Sequence, residues 1–193
     1  MISLTKIAIA IAILVIAPMT HAHELPENRA TVVLRDKTHV TVTLFINYAE
    51  ALHAALSPQR PFAAFLMTCS SMKPEDLSKE LVRAQTKFQS STRLYLAGPH
   101  GSAGTEVKLT NWVWPEAKQV QAMLQRQIMQ AMVDPAAHAH EAPLEIHADG
   151  NAPQEIVSLL MQFPTEFQRV LTVSYRPNQV WTERGMISPE IRF

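Results

Sequence analysis

A single cysteine, Cys69, stands among the 193 residues, so no disulfide can close within one copy of the chain and stability must come from burial. In "RPFAAFLMTC" the thiol falls on one helical stripe with Phe62, Phe65 and Leu66, which is the setting of a small apolar core residue. An intermolecular bridge or a reactive thiol is the other reading. Neither sign of charge dominates, because 17 basic and 17 acidic side chains cancel. That balance argues against the basic face that nucleic acid demands and against a polybasic handle for anionic membranes. HExxH does not occur, and Ser70-Ser71 has no glycine-flanked elbow around it. No assembled catalytic set is visible.

Long apolar runs are lacking too. A bilayer span takes about 20 such residues, and the greasiest stretch, Ile7–Ala17, is shorter than that. It has instead the form of a secretory leader. Lys6 supplies the charged start, Ile7–Ala17 the apolar middle, and "PMTHA" a polar end broken by Pro18. Thr20 and Ala22 place small residues at the third-last and last positions before a cut. The sequence therefore predicts a signal peptide over 1–22, cleavage after Ala22, and a single soluble domain over 23–193 in the periplasm or outside the cell. No further span is expected after the leader is removed.

The remainder reads as alternating β and α segments. Ala30–Arg35 and His39–Asn47 are rich in β-branched residues and joined by "DKT", a hairpin with Val40, Val42, Leu44 and Ile46 on its buried face. Asn47 and Glu50 have the spacing of a capping box before a helix "YAEALHAAL". Pro61–Cys69 and Pro74–Gln89 follow as helices, the second with Leu77, Leu81, Ala84 and Phe88 inward. Strands are expected at Thr92–Ala97 and Glu106–Val113, joined by "GPHGSAG". A phosphate cradle would need a helix straight after that loop, and a strand pattern follows instead. A helix to Val133 comes next, with Val120, Met123, Leu124, Ile128, Ala131 and Met132 on one side. Four strands close the chain at Leu144–Ala148, Ile156–Phe163, Val170–Tyr175 and Gln179–Glu183, with a turn at Tyr175–Asn178 between the last two. The expected fold class is α+β: a mainly antiparallel sheet or sandwich of about eight strands with three or four inserted helices.

The chemistry with most support is metal ligation. Cleavage after Ala22 leaves His23 as the first residue, offering its α-amine and imidazole together, a nitrogen set suited to Cu(II). "HAH" adds His138 and His140, whose rings project to one side if the segment is extended. Glu141 is adjacent and His147 lies farther on. Three or four ligands must converge for such a site to exist, and a histidine pair in a Pro-bounded polar connector also reads as simply solvated. His39 and His53 read as boundary residues. Met123, Met129 and Met132 share a helix and read as core filler rather than Cu(I) ligands. Trp112 and Trp114 read as packing ahead of a helix rather than a sugar platform.

The opening "AHELPENRATVVLRD" resembles the extracytoplasmic N-terminal domain of HupE/UreJ-type membrane proteins, over His23 to about Asn47. The resemblance implies a link to the handling of nickel or another metal. The polytopic half of that family is absent, so transport is not implied. Together these features predict an exported, non-enzymatic binding module of the cell envelope with an envelope protein as partner. The alternative is a periplasmic Cu, Ni or Zn binder using His23, His138 and His140. A secreted hydrolase or copper oxidase is a third reading.

Overall fold

The computed structural model describes residues 28–133, 143–177 and residue 184. The leader, the "HAH" connector and the expected strand Gln179–Glu183 lie outside them. The first half runs β1 (Arg29–Leu34), β2 (His39–Ile46), α1 (Tyr48–Leu56), α2 (Phe62–Ser70), α3 (Pro74–Ser91), β3 (Arg93–Ala97) and β4 (Ala103–Glu106). It continues with β5 (Leu109–Val113), α4 (Ala117–Val133), β6 (Leu144–Asn151), β7 (Leu159–Gln162) and β8 (Leu171–Tyr175). The described residues thus form an α+β fold with two mostly antiparallel sheets, ordered β5-β6-β2-β1-β8 and β4-β3-β7.

The larger sheet grows from the β1–β2 hairpin. Its turn is tied by Asp36, whose carboxylate accepts the backbone N–H groups of Thr38 and His39 at 2.7 and 2.8 Å. Those two bonds hold the Asp36 carboxyl below its ordinary range. Alternation then places Val40, Val42, Leu44 and Ile46 in the core, opposite the outward His39, Thr41, Thr43 and Phe45. β6 pairs antiparallel along the whole of β2. On the other flank β8 runs parallel to β1, the one parallel pair among the described strands. A parallel neighbour needs a long crossover rather than a tight turn, and here almost the whole described chain separates the two strands.

The helices cover the inner face of this sheet. Asn47 caps α1, its side-chain oxygen accepting the Glu50 N–H at 3.4 Å. The reciprocal half of the expected capping box is absent, because the Asn47 N–H goes to the Asn28 side chain at 2.7 Å and Glu50 instead accepts from Gln168. Leu77, Leu81, Ala84 and Phe88 are the buried stripe of α3, as the periodicity predicts. Phe88 sits at an aromatic junction with Phe167, Trp114 and Tyr48, ring centroids 4.9, 6.3 and 6.4 Å away.

Three local expectations are corrected. The single strand Glu106–Val113 is two strands in different sheets. Val107 still donates its N–H to the Leu94 carbonyl before the chain leaves for β6, so unbroken alternation hides the corner. The inward stripe of α4 stops early, with Val120, Met123 and Leu124 buried but Met132 79 % exposed. The helix outruns the core beneath it. Phe62, placed on the Cys69 stripe, stands at the rim of α2 at 36 % exposure.

Candidate binding site

Among the described strands β7 and β8 are each the last of their own sheet, and a cleft of about 450 Å³ opens between them. One wall is the inner face of β1 and β8, contributing Val32, Leu34, Thr172 and Ser174. The other comprises Ile156, Leu159, Leu160 and Met161 on β7 and the segment before it. Its volume falls within the range of about 300–1,000 Å³ usual for ligand pockets. Val157 stands on its rim at 89 % exposure and Tyr175 at 53 %. Arg176 closes the lining as the one charged residue among its described members, its Nη2 donating to the Ile156 carbonyl at 3.5 Å.

The strand periodicity explains this lining. Leu171, Val173 and Tyr175 stand level with Arg29, Thr31 and Val33 of β1, and neighbours in register share a face. Thr172 and Ser174 therefore point to the opposite, inner side. Among the described residues lining the cleft none belongs to a helix, and here hydroxyls replace the aliphatic residues that fill the core elsewhere. Sequence reading passed over Thr172, Ser174 and Arg176. The signal available was the alternation in "LTVSYR", which shows two unlike faces without showing which one meets the other sheet.

The outer face of the larger sheet is a second concentration of polar groups. Thr43 faces His147, its Oγ1 3.1 Å from Nδ1, and Glu145 approaches the other ring nitrogen at 3.4 Å. Asp149 receives the Thr41 hydroxyl at 3.3 Å and the Asn111 amide at 3.4 Å, with His39 Nε2 3.8 Å from it. These are pairs spread along two strands. Among the described residues no three His, Cys, Asp or Glu side chains converge as metal ligands would. His23, His138 and His140, the metal candidates, lie outside the described residues.

No family model, curated protein or solved structure matches this chain.

The other singled-out residues have structural surroundings. Cys69 is buried, and burial pushes its thiol up, with the Glu80 charge adding to the effect. His53 Nε2 is 2.7 Å from the Arg60 carbonyl, and its ring lies against Phe62 and Phe65 at 5.3 and 5.2 Å. Trp112 and Trp114 stack at 5.4 Å, half-buried against the core. "GPHGSAG" is a tight connection from β3 to β4, with Gly101 at φ 75°, a backbone setting that favours glycine. Among the described residues no helix is long and apolar enough to cross a membrane.

Proposed function

We propose that this chain is an exported, non-enzymatic envelope protein that acts by binding a protein partner through the cleft between β7 and β8. The observation that carries this reading is the cleft itself: walls largely aliphatic, a rim holding exposed Val157 and Tyr175, and little titratable chemistry in its lining. Contiguous exposed apolar surface of this kind marks interaction sites. The leader-like start of the sequence supports export. The test is a photo-reactive phenylalanine analogue placed at Val157 in cells making the full chain, with Thr86 on α3 as a control position. A discrete adduct from Val157 alone, identified by mass as an envelope protein, is the expected result. Export without any adduct, or equal adducts at both positions, overturns the reading.

One observation favours a second reading, a Cu, Ni or Zn site made by His23, His138 and His140. Arg29, Phe45 and Glu145 form one row across β1, β2 and β6. Arg29 and Glu145, at the starts of the strands that follow the two histidine-bearing segments, thus stand at the same end of the sheet, two strand spacings or about 10 Å apart. Five residues lie between His23 and Arg29 and four between His140 and Glu145. An extended residue spans about 3.3–3.6 Å, so both segments have the reach to meet. The metal association implied by the HupE/UreJ-like opening agrees with this. Metal titration of the processed protein tests it: submicromolar binding that His23→Ala weakens supports the site, and unaltered binding removes it.

A further inference from the structure

β8 is unusual in the larger sheet because all five of its residues are exposed. Among the described residues it pairs with β1 alone. Edge strands are ordinarily protected by a lysine, a proline, a bulge or a covering element, and "LTVSY" contains none of the residue devices. The direction of its unpaired groups follows from one bond. The Leu171 N–H donates to the Asn28 carbonyl at 3.0 Å, toward β1. Successive N–H groups of a strand point to opposite edges, so those of Thr172 and Ser174 point away from β1, to the edge where no described strand pairs. The side chains of the same two residues line the cleft. Main-chain donors and a shaped pocket therefore belong to one short segment.

Charge narrows the occupant further. Among the described residues lining the cleft Arg176 alone is charged, and no described carboxylate lies with it. Its described contact, a 3.5 Å bond to the Ile156 carbonyl, uses one of five guanidinium donors. One arginine is too little for a lipid surface, which is held by clusters of basic residues. It is enough for one carboxylate, bound in the bidentate manner arginine favours.

Resting on the protein-binding reading above, we infer that the partner presents an extended segment that adds to β8 as a further strand, bonded to the Thr172 and Ser174 main chain. It sets an apolar side chain into the cleft against Leu159, beside Thr172 and Ser174, and gives an acidic side chain to Arg176. In strand addition the main chain supplies affinity, and pockets for alternate side chains supply selectivity.

The experiment uses the full processed chain, labelled with nitrogen-15, and three probes. One is an alternating Val/Thr heptapeptide with a terminal-flanking Glu, the second its Gln version, and the third the Glu peptide N-methylated at alternate residues. The Glu peptide is expected to slow amide exchange at Thr172 and Ser174 at least tenfold. Replacing Glu by Gln, or Arg176→Gln in the protein, is expected to weaken binding about tenfold, the scale of a lost charged hydrogen bond, with Arg176→Lys restoring part of it. The N-methylated peptide should not bind. Equal binding of that peptide, unchanged exchange at Thr172 and Ser174, or no binding by any probe overturns the inference. So does binding that requires Val180→Asp, because the chain itself would then hold the edge. A Val157 adduct in cells alongside failed peptides removes strand addition and leaves the protein-binding reading standing; loss of both removes both.

Discussion

Thr43 and His147 face each other across β2 and β6, hydroxyl to Nδ1 at 3.1 Å, while Glu145 occupies the other ring nitrogen at 3.4 Å. A metal taking this imidazole would have to displace one of two existing partners. The ring already serves the sheet, whereas under the export reading proposed above cleavage after Ala22 would give His23 a free amine beside its imidazole, one chelating group. His147→Ala should leave the affinity of that chain for Cu(II), Ni(II) or Zn(II) within about twofold, whereas His23→Ala should lower it about tenfold or more, losing one strong ligand among few. Isothermal titration of the two variants checks this. A large loss with His147→Ala would move the site onto the sheet face.

Cys69 should be silent until the chain unfolds. It packs among Phe65, Leu66 and the neighbouring core, and burial raises its thiol so that little thiolate forms near neutral pH. A thiol-specific chromogenic reagent should leave the native protein unmodified over hours and titrate one thiol in denaturant. Cys69→Ser should cost about 1–3 kcal/mol, because a hydroxyl in that setting is desolvated without an assured partner. Rapid modification of the native protein would mean that α2 opens readily.

The elements near the hairpin and α3 were legible because local chemistry decides them. "HVTVTLFI" alternates cleanly, and Leu77, Leu81, Ala84 and Phe88 recur at helical spacing, so burial follows directly from pattern. The cleft was not legible. It depends on β8 lying parallel to β1 and on β7 joining a different sheet, pairings between residues far apart in sequence. "LTVSY" has the same two-faced alternation whether its hydroxyls meet solvent, a neighbouring sheet or a ligand. The corner at Val107 was hidden for a related reason, since a chain can change sheets without breaking its period. Ala131 keeps helical phase with Val120 yet is exposed, because phase gives direction and not the extent of what lies opposite; Met132 stands half a turn round from Met123 and faces solvent.

Asn28 joins three distant parts of the chain and should be a large single contributor among the polar residues. Its amide donates to the Phe167 carbonyl at 2.8 Å, and its side-chain oxygen accepts the Asn47 N–H at 2.7 Å. The residue is buried, so Asn28→Ala strands both backbone groups away from water. The expected cost is about 2–3 kcal/mol in urea unfolding. Asn28→Asp keeps the acceptor for Asn47 but turns a second oxygen toward the Phe167 carbonyl. It should therefore destabilise at least as much at neutral pH and recover partly in acid, where the protonated carboxyl can donate. Equal stability of wild type and Asn28→Ala would show that these two bonds are replaced by water.

Glu166 gives the fold a measurable acid sensitivity. Its side chain is 10 % exposed and pairs with Lys87, which is half exposed, across the gap between α3 and the short turn Thr165–Phe167. Burial pushes its carboxyl up, but hydrogen bonds and the Lys87 charge outweigh that and leave it below the ordinary value. In the unfolded chain a glutamate titrates near about 4.3, so in this window the unfolded state binds the extra proton. The stabilisation is complete above the unfolded value and is lost as pH falls through the lower folded one. Glu166→Gln should cost about 1 kcal/mol at pH 7, discounted for the exposure of Lys87, or about 2–4 °C in Tm for a chain of this size. That difference should begin to shrink as pH falls through the ordinary glutamate value and be gone once pH is below the lower folded one. Asp36, also held below its usual range, titrates in both proteins and cancels in the comparison. A gap that stays constant across this range would assign the loss at pH 7 to packing around Phe167 and not to the ion pair.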